Sequence, residues 1–266
     1  MMNTTLFKKE IKSNWILLVI FLAVLSMYGS MITMMFDPKM GDGLRAMADS
    51  MPGMFAAFGM TNVGATLLEF VASYLYGVLY VAFPGVFIII LANRLAARYV
   101  DNGSMAYLLA APVKRWKIML TQALFLLLCL VIMVGFATGL ILIVSEVLFP
   151  GEMDMKAFLR LNTGLLGLLV FFGGAGMCAS CFCNESKNAS AISTAVVVYS
   201  LLLQMISRVG EKFESLKYAT PLTLFDIDGL SAGDGEAWLM CAALYVAGIV
   251  LMTAGIARFS RRDLPL

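Results

Sequence analysis

Six stretches of this chain contain no Lys, Arg, Asp or Glu: Trp15–Met35, Phe70–Ala92, Thr121–Ser145, Leu161–Phe182, Ala189–Ser207 and Ala237–Ala257, of 21, 23, 25, 22, 19 and 21 residues. About 20 apolar residues in a helix cover the hydrocarbon core of a bilayer, so each stretch is long enough to cross it. All 36 charged residues lie in the remaining segments. A soluble amphipathic helix cannot go that long without charge, because one face must meet water. The pattern therefore predicts an all-α integral membrane protein with six transmembrane helices, and it excludes a soluble enzyme or a nucleic-acid-binding domain. The composition agrees: 61% of residues are hydrophobic, against about 45–50% in soluble domains.

The expected spans are about 15–35, 70–92, 121–149, 161–183, 189–207 and 237–257, in a single permease-like domain covering 1–266. The third runs past Glu146 to Phe149, and Pro84 is expected to kink the second. The N-terminus is basic and then apolar, like a signal peptide, but lacks a convincing cleavage site and reads as a retained first span.

Cationic residues orient the bundle. With the N-terminus inside, the inner segments hold 12 Lys and Arg and the outer ones 7, spread over longer loops. Cytoplasmic loops of membrane proteins carry this excess, so both termini are expected in the cytoplasm. The chain has no histidine, which removes imidazole chemistry. It also has no GxxxxGK[ST] loop, so no phosphate cradle of its own.

Two inner segments carry the most information. Residues 3–14, NTTLFKKEIKSN, begin with capping residues and place Leu6, Phe7 and Ile11 among three lysines. They predict an amphipathic helix lying at the inner interface before the chain turns into the bilayer. Residues 93–120 contain DNGS turn chemistry at 101–104, then a short helix from Met105 to Ala111 that exposes Leu108 and Leu109 as an apolar knob, then Pro112 and the bases Lys114, Arg115 and Lys117. A short punctuated helix between two spans suits transmission of a push from a partner.

The string DNGSMAYLLAAPVKR resembles the E-x-G-T-x-x-x-L-L-x-x-P-V-x-R signature of ABC-type-2 permeases, the membrane subunits of ATP-driven exporters. Gly103, Leu108, Leu109, Pro112, Val113 and Arg115 match, while Asp101 and Ser104 stand for Glu and Thr. Met51–Gly59, Thr220–Asp226 and Phe259–Leu264 resemble further elements of that family in order and spacing. The resemblance implies a type V exporter fold, with two six-span subunits each docked to a cytoplasmic ABC ATPase. It implies no cofactor on this chain, with ATP and Mg on the partner ATPase, and a second permease copy or paralogue. The docking surface would be the N-terminal helix and the coupling loop of Arg98, Asp101, Gly103, Leu108, Leu109, Pro112 and Arg115. Asp101 and Gly103 would shape the turn, Leu108 and Leu109 would seat in the ATPase, and Arg115 would anchor at the membrane face. The implied location is the plasma membrane of a prokaryote.

Polar marks within the spans suggest a translocation path through Ser73, Tyr74, Tyr80, Thr194, Tyr199 and Gln204. None is ionised at neutral pH. Ion-coupled carriers keep a charge at membrane depth, which weighs against the rival reading of a stand-alone channel or ion-coupled transporter. An intramembrane enzyme would need a catalytic pair or metal cluster that the spans lack. Cys178, Cys181 and Cys183 read as small packing residues rather than metal ligands, and Gly135-x-x-x-Gly139 as close packing within the subunit.

Overall fold

Each charge-free window lies inside a helix that outlasts it. The computed structural model describes residues 3–37, 50–57, 66–109, 113–208 and 211–262. Six of its helices are long and apolar enough to cross a membrane: Thr4–Met35, Leu67–Asp101, Arg115–Leu148, Met155–Phe182, Ser186–Ser207 and Gly235–Arg261. We refer to these as the first to sixth spans. The end of the bundle where the first span begins is termed the N face, and the other end the opposite face. The described elements are otherwise short helices and turns.

The first span differs from expectation. The interface helix and the membrane span form one continuous helix, Thr4–Met35, capped by Asn3, whose Oδ1 accepts from the Leu6 amide at 3.1 Å. Nothing between Asn14 and Trp15 breaks it. Asn14 turns its amide back onto the Glu10 carbonyl at 3.2 Å, and no Gly or Pro intervenes. The buried stripe of its first turns is also not the anticipated one. Leu6, Glu10 and Asn14 face inward, Phe7 is half-buried, and Ile11 is exposed. A spacing of four keeps Leu6, Glu10 and Asn14 nearly in register on a helix, whereas Ile11 lies about 140° from Leu6.

The second span is composite. A capping box of Thr66 and Glu69 starts Leu67–Val71, a π-helix follows over Ala72–Leu79, and Tyr80–Leu95 returns to α-helix with Pro84 inside it. Ala96 breaks the regular backbone, and the short helix Ala97–Asp101 ends the span at the N face.

The fourth and sixth spans form the most extensive helix pair. In lipid the tails are as apolar as the side chains, so helices associate through close packing at small residues. Here Gly167, Gly174 and Cys181 lie seven apart on the fourth span, as do Cys241, Gly248 and Gly255 on the sixth. A side chain at Gly167 would press on Tyr245, one at Gly174 on the Gly248 backbone, and one at Gly255 on the Cys178 backbone. The two spans run parallel, and a seven-residue repeat holds one seam together along both. By contrast, no described residue lies within 4 Å of a side chain added at Gly135 or Gly139. The expected packing of that motif within the chain does not occur among the described residues. These glycines sit on the exposed face of the third span, beside Phe136 and Ile143.

Arg262 closes the N-face end of this pair. Its side chain is buried and donates to the carbonyls of Cys181, Phe182 and Cys183 at 2.8, 2.7 and 3.2 Å, and also to Asn184 Oδ1. The last carbonyls of a helix have no intrahelical partner and carry the negative end of its dipole, which a guanidinium satisfies. Arg115 in turn donates to the Arg262 carbonyl at 2.9 Å, tying the third span to the same knot. Arg262→Ala is expected to cost about 2–3 kcal/mol, since it removes a charged donor from several buried acceptors. The loss would show as a lower unfolding midpoint of the purified protein in detergent. Arg262→Lys should recover only part of it, because one ammonium cannot span the fork.

Candidate coupling face and opposite-face cavity

At the N face the chain packs a polar knot under two short helices. Glu10 is 2% exposed. Its Oε1 accepts from the Tyr99 hydroxyl at 2.7 Å and the Gln122 amide at 3.0 Å, and its Oε2 from the Asn14 amide at 3.0 Å. One carboxylate thereby joins the first span, the short helix Ala97–Asp101 and the third span. Asn3 adds a second tie, donating its backbone N–H to Thr121 Oγ1 at 3.1 Å. Phe7 packs edge-on against Phe125 at 5.7 Å, and the Lys9 ammonium lies 5.0 Å from the Tyr99 ring centre.

The turn that follows is built as its residues require. Gly103 has φ +67°, in the left-handed region that glycine enters freely. Its N–H donates to the Val100 carbonyl at 3.0 Å, and the Asn102 N–H to that of Arg98 at 3.1 Å. Ser104 donates its hydroxyl back to the Tyr99 carbonyl at 3.3 Å. The short helix Met105–Leu109 then lies on the bundle. Its orientation corrects the sequence reading. Met105 is fully buried and Leu108 packs half-buried against the core, so Leu108 is not the exposed knob. Tyr107, at 85% exposure, is the side chain this helix presents outward. Placing Met105 under the bundle brings Leu108, three residues on, to the same face and turns Tyr107 away. Arg98 and Asp101 are exposed beside it. The Leu109 side chain and Pro112 lie outside the described residues.

The anticipated path residues are not brought to one channel. Tyr80 is buried and donates to the Leu25 carbonyl at 3.1 Å, locked between the first and second spans. Tyr74 is half-buried with its ring 4.6 Å from Phe70. Thr194 and Tyr199 lie on the exposed side of the fifth span. Ser73 and Gln204 do line one cavity, of about 530 Å³, at the opposite face. Its walls are the start of the second span, the end of the fifth, and the segment between the fifth and sixth. That segment is fixed by two caps: Thr220 Oγ1 accepts from the Leu222 N–H at 3.2 Å while donating to the Ser200 carbonyl at 3.1 Å, and Asp226 Oδ1 accepts from the Gly229 N–H at 3.1 Å.

Residue patterns had not singled out Glu10, Tyr99, Gln122, Arg208 or Arg262. The spacing Leu6, Glu10, Asn14 on one helical face was the available signal for the knot. A glutamate in line with a buried leucine must find partners or stay out of the interior.

A family model described as ABC-2 family transporter protein matches residues 6–264, nearly the whole chain. The chain belongs to that family. It is a multi-pass transport permease, and the short helices Ala97–Asp101 and Met105–Leu109 carry the first part of the signature-like string read over 101–115. No curated protein matches the chain.

Proposed function

We propose that this permease is the membrane subunit of an ATP-driven exporter, working with a separate cytoplasmic ABC ATPase and a second permease copy or paralogue. The N face is then cytoplasmic, in accord with its excess of Lys and Arg, and the membrane is the plasma membrane of a prokaryote. ATP and Mg are held by the ATPase. The observation that carries this reading is the geometry of Met105–Leu109. A buried Met105 and a half-buried Leu108 fasten the short helix to the bundle, while Tyr107 projects from it. An aromatic side chain fixed on a rigid platform is a suitable anchor for a partner pocket. The Glu10 knot beneath it gives a push on that helix a route into the first and third spans.

The test is gentle solubilisation of the tagged permease from its host, with mass identification of what remains bound. The expected result is a stoichiometric partner carrying a phosphate-binding loop. Tyr107→Asp should weaken its retention by at least about tenfold, as the loss of a hot-spot aromatic does, while the permease itself stays monodisperse. A homo-oligomer with no ATPase, reproduced in nanodiscs, would overturn the reading in favour of a channel or carrier.

A further inference from the structure

A second pocket lies at the N face, and packing does not explain its charge balance. It encloses about 250 Å³ between the start of the first span, the end of the second and the turn after it. Every residue lining it carries a polar group, and two of them are arginines, Arg94 and Arg98. Among the described residues neither guanidinium takes part in a hydrogen bond or an ion pair. The carboxylate in the lining belongs to Glu10, whose oxygens already accept from Tyr99, Gln122 and Asn14. Asp101 shares a short helix with Arg98 but does not line the pocket. The Lys9 ammonium, over the Tyr99 ring, adds positive charge alongside. A ligand entering here meets two cations and one carboxylate whose acceptor capacity is largely used, which favours an anion. The depth of the pocket narrows the choice. Asn14 directly precedes Trp15, where the first charge-free window opens, and Arg94 lies just beyond Ala92, where the second closes. The site therefore stands where hydrocarbon gives way to headgroups, the level at which tryptophan collects, and Trp15 and Trp116 are both exposed there. The tails of a lipid can stay in the bilayer while its headgroup enters a pocket of this size.

We propose that this pocket binds a phosphate group of net negative charge on Arg94 and Arg98, supplied by an anionic phospholipid of the phosphatidylglycerol type in the N-face leaflet. A guanidinium matches phosphate geometry with paired N–H donors, and basic pockets between transmembrane helices at the membrane surface hold anionic headgroups. Ser13, Asn102 and Ser104 supply neutral polar groups for the headgroup hydroxyls. An ethanolamine headgroup fits less well, because its ammonium would face the same two cations. The lining joins the first span to the turn that leads into Met105–Leu109, so an occupied pocket braces the short helix that presents Tyr107. That consequence for coupling rests on the exporter reading above, but the binding does not.

The test uses the full-length permease in maltoside detergent, mixed with equal amounts of dioleoyl phosphatidylglycerol and dioleoyl phosphatidylethanolamine, with native mass spectrometry to read what is retained. Wild type should favour the glycerol lipid by about fivefold or more, and the double variant Arg94→Gln, Arg98→Gln should reduce its retention about tenfold, as loss of charge-assisted hydrogen bonds implies. Lys187→Gln removes an exposed charge from the N-face turn between the fourth and fifth spans, outside the pocket, and should leave the preference unchanged. Retention in excess inorganic phosphate assigns the site to the bilayer lipid, whereas displacement overturns that source in favour of soluble phosphate. Equal retention of both lipids by wild type, unchanged retention by the double variant, or an equal loss in Lys187→Gln overturns the proposal. If the double variant is not monodisperse, Ser13→Trp fills the pocket from the first span without removing charge, and undiminished retention by that variant overturns it equally. An ATPase-free complex would sink the exporter reading and leave this result untouched.

Discussion

Gly248→Leu should abolish recovery of folded permease, whereas Gly135→Leu on the third span should leave recovery unchanged or improve it. The two substitutions add the same side chain to a glycine in the middle of a transmembrane helix. At Gly248 a Cβ alone would lie 2.6 Å from the Val170 carbonyl oxygen and 2.9 Å from the Phe171 nitrogen. These are backbone atoms of the facing helix, so no rotamer change can relieve the contact, and the fourth and sixth spans must separate. Overpacking a core with flexible neighbours costs about 1–3 kcal/mol. Forcing two helix backbones apart lies at the top of that range or above it, at the pair that organises the bundle. At Gly135 no described residue lies within 4 Å, so the main effect is the gain of about 1 kcal/mol in helix propensity on leaving glycine. Fluorescence-detected size exclusion of the two variants beside wild type reads the contrast directly. Equal profiles would show that the seam is not where the bundle is held.

The same pair of glycine motifs marks the limit of what the sequence made legible. The spans were readable because charge is forbidden at membrane depth, a constraint that acts on every residue of a window without reference to any partner. Which face of a span packs has no such signature. Gly135-x-x-x-Gly139 has the familiar close-packing spacing and faces outward. The seam that does close uses a spacing of seven split between helices separated by the whole of the fifth span. Periodicity within one helix carries no record of its partner. The coupling turn was readable for a local reason, since Asp101-Asn102-Gly103-Ser104 is turn chemistry and Gly103 does take the left-handed conformation. The exposed residue of the following helix was not readable. Tyr107 and Leu108 are adjacent, and only the burial of Met105 decides which of them turns outward. The polar path residues failed in the same way. Hydroxyls at membrane depth have two outlets, a water-filled path or a carbonyl of a neighbouring helix, and Tyr80 takes the second through Leu25.

Glu10→Ala should be among the most damaging single changes at the N face, and Glu10→Gln among the mildest at the same position. The carboxylate is buried and accepts from Tyr99, Gln122 and Asn14. Removing it takes an acceptor from donors on three separate elements, and only Asn14 keeps another, the Glu10 main-chain carbonyl. Each buried donor left without an acceptor costs about 1–3 kcal/mol, so the alanine variant should lose several kcal/mol in total. Glutamine presents one acceptor and one donor in nearly the same volume. Its oxygen can keep Tyr99 and Gln122, and its amide needs a new acceptor on the Asn14 side. Asn14 supplies it if its amide turns over, since its Oδ1 is buried and has no hydrogen-bond partner among the described residues. The cost is the bond from Asn14 to the Glu10 carbonyl, about 1 kcal/mol. Thermal unfolding in detergent should therefore place Glu10→Gln close to wild type and Glu10→Ala far below it. If both fall together, the negative charge itself holds the knot, and the three neutral donors are accommodating it rather than depending on it. If neither falls, the short helix that presents Tyr107 is held by Met105 and Leu108 alone.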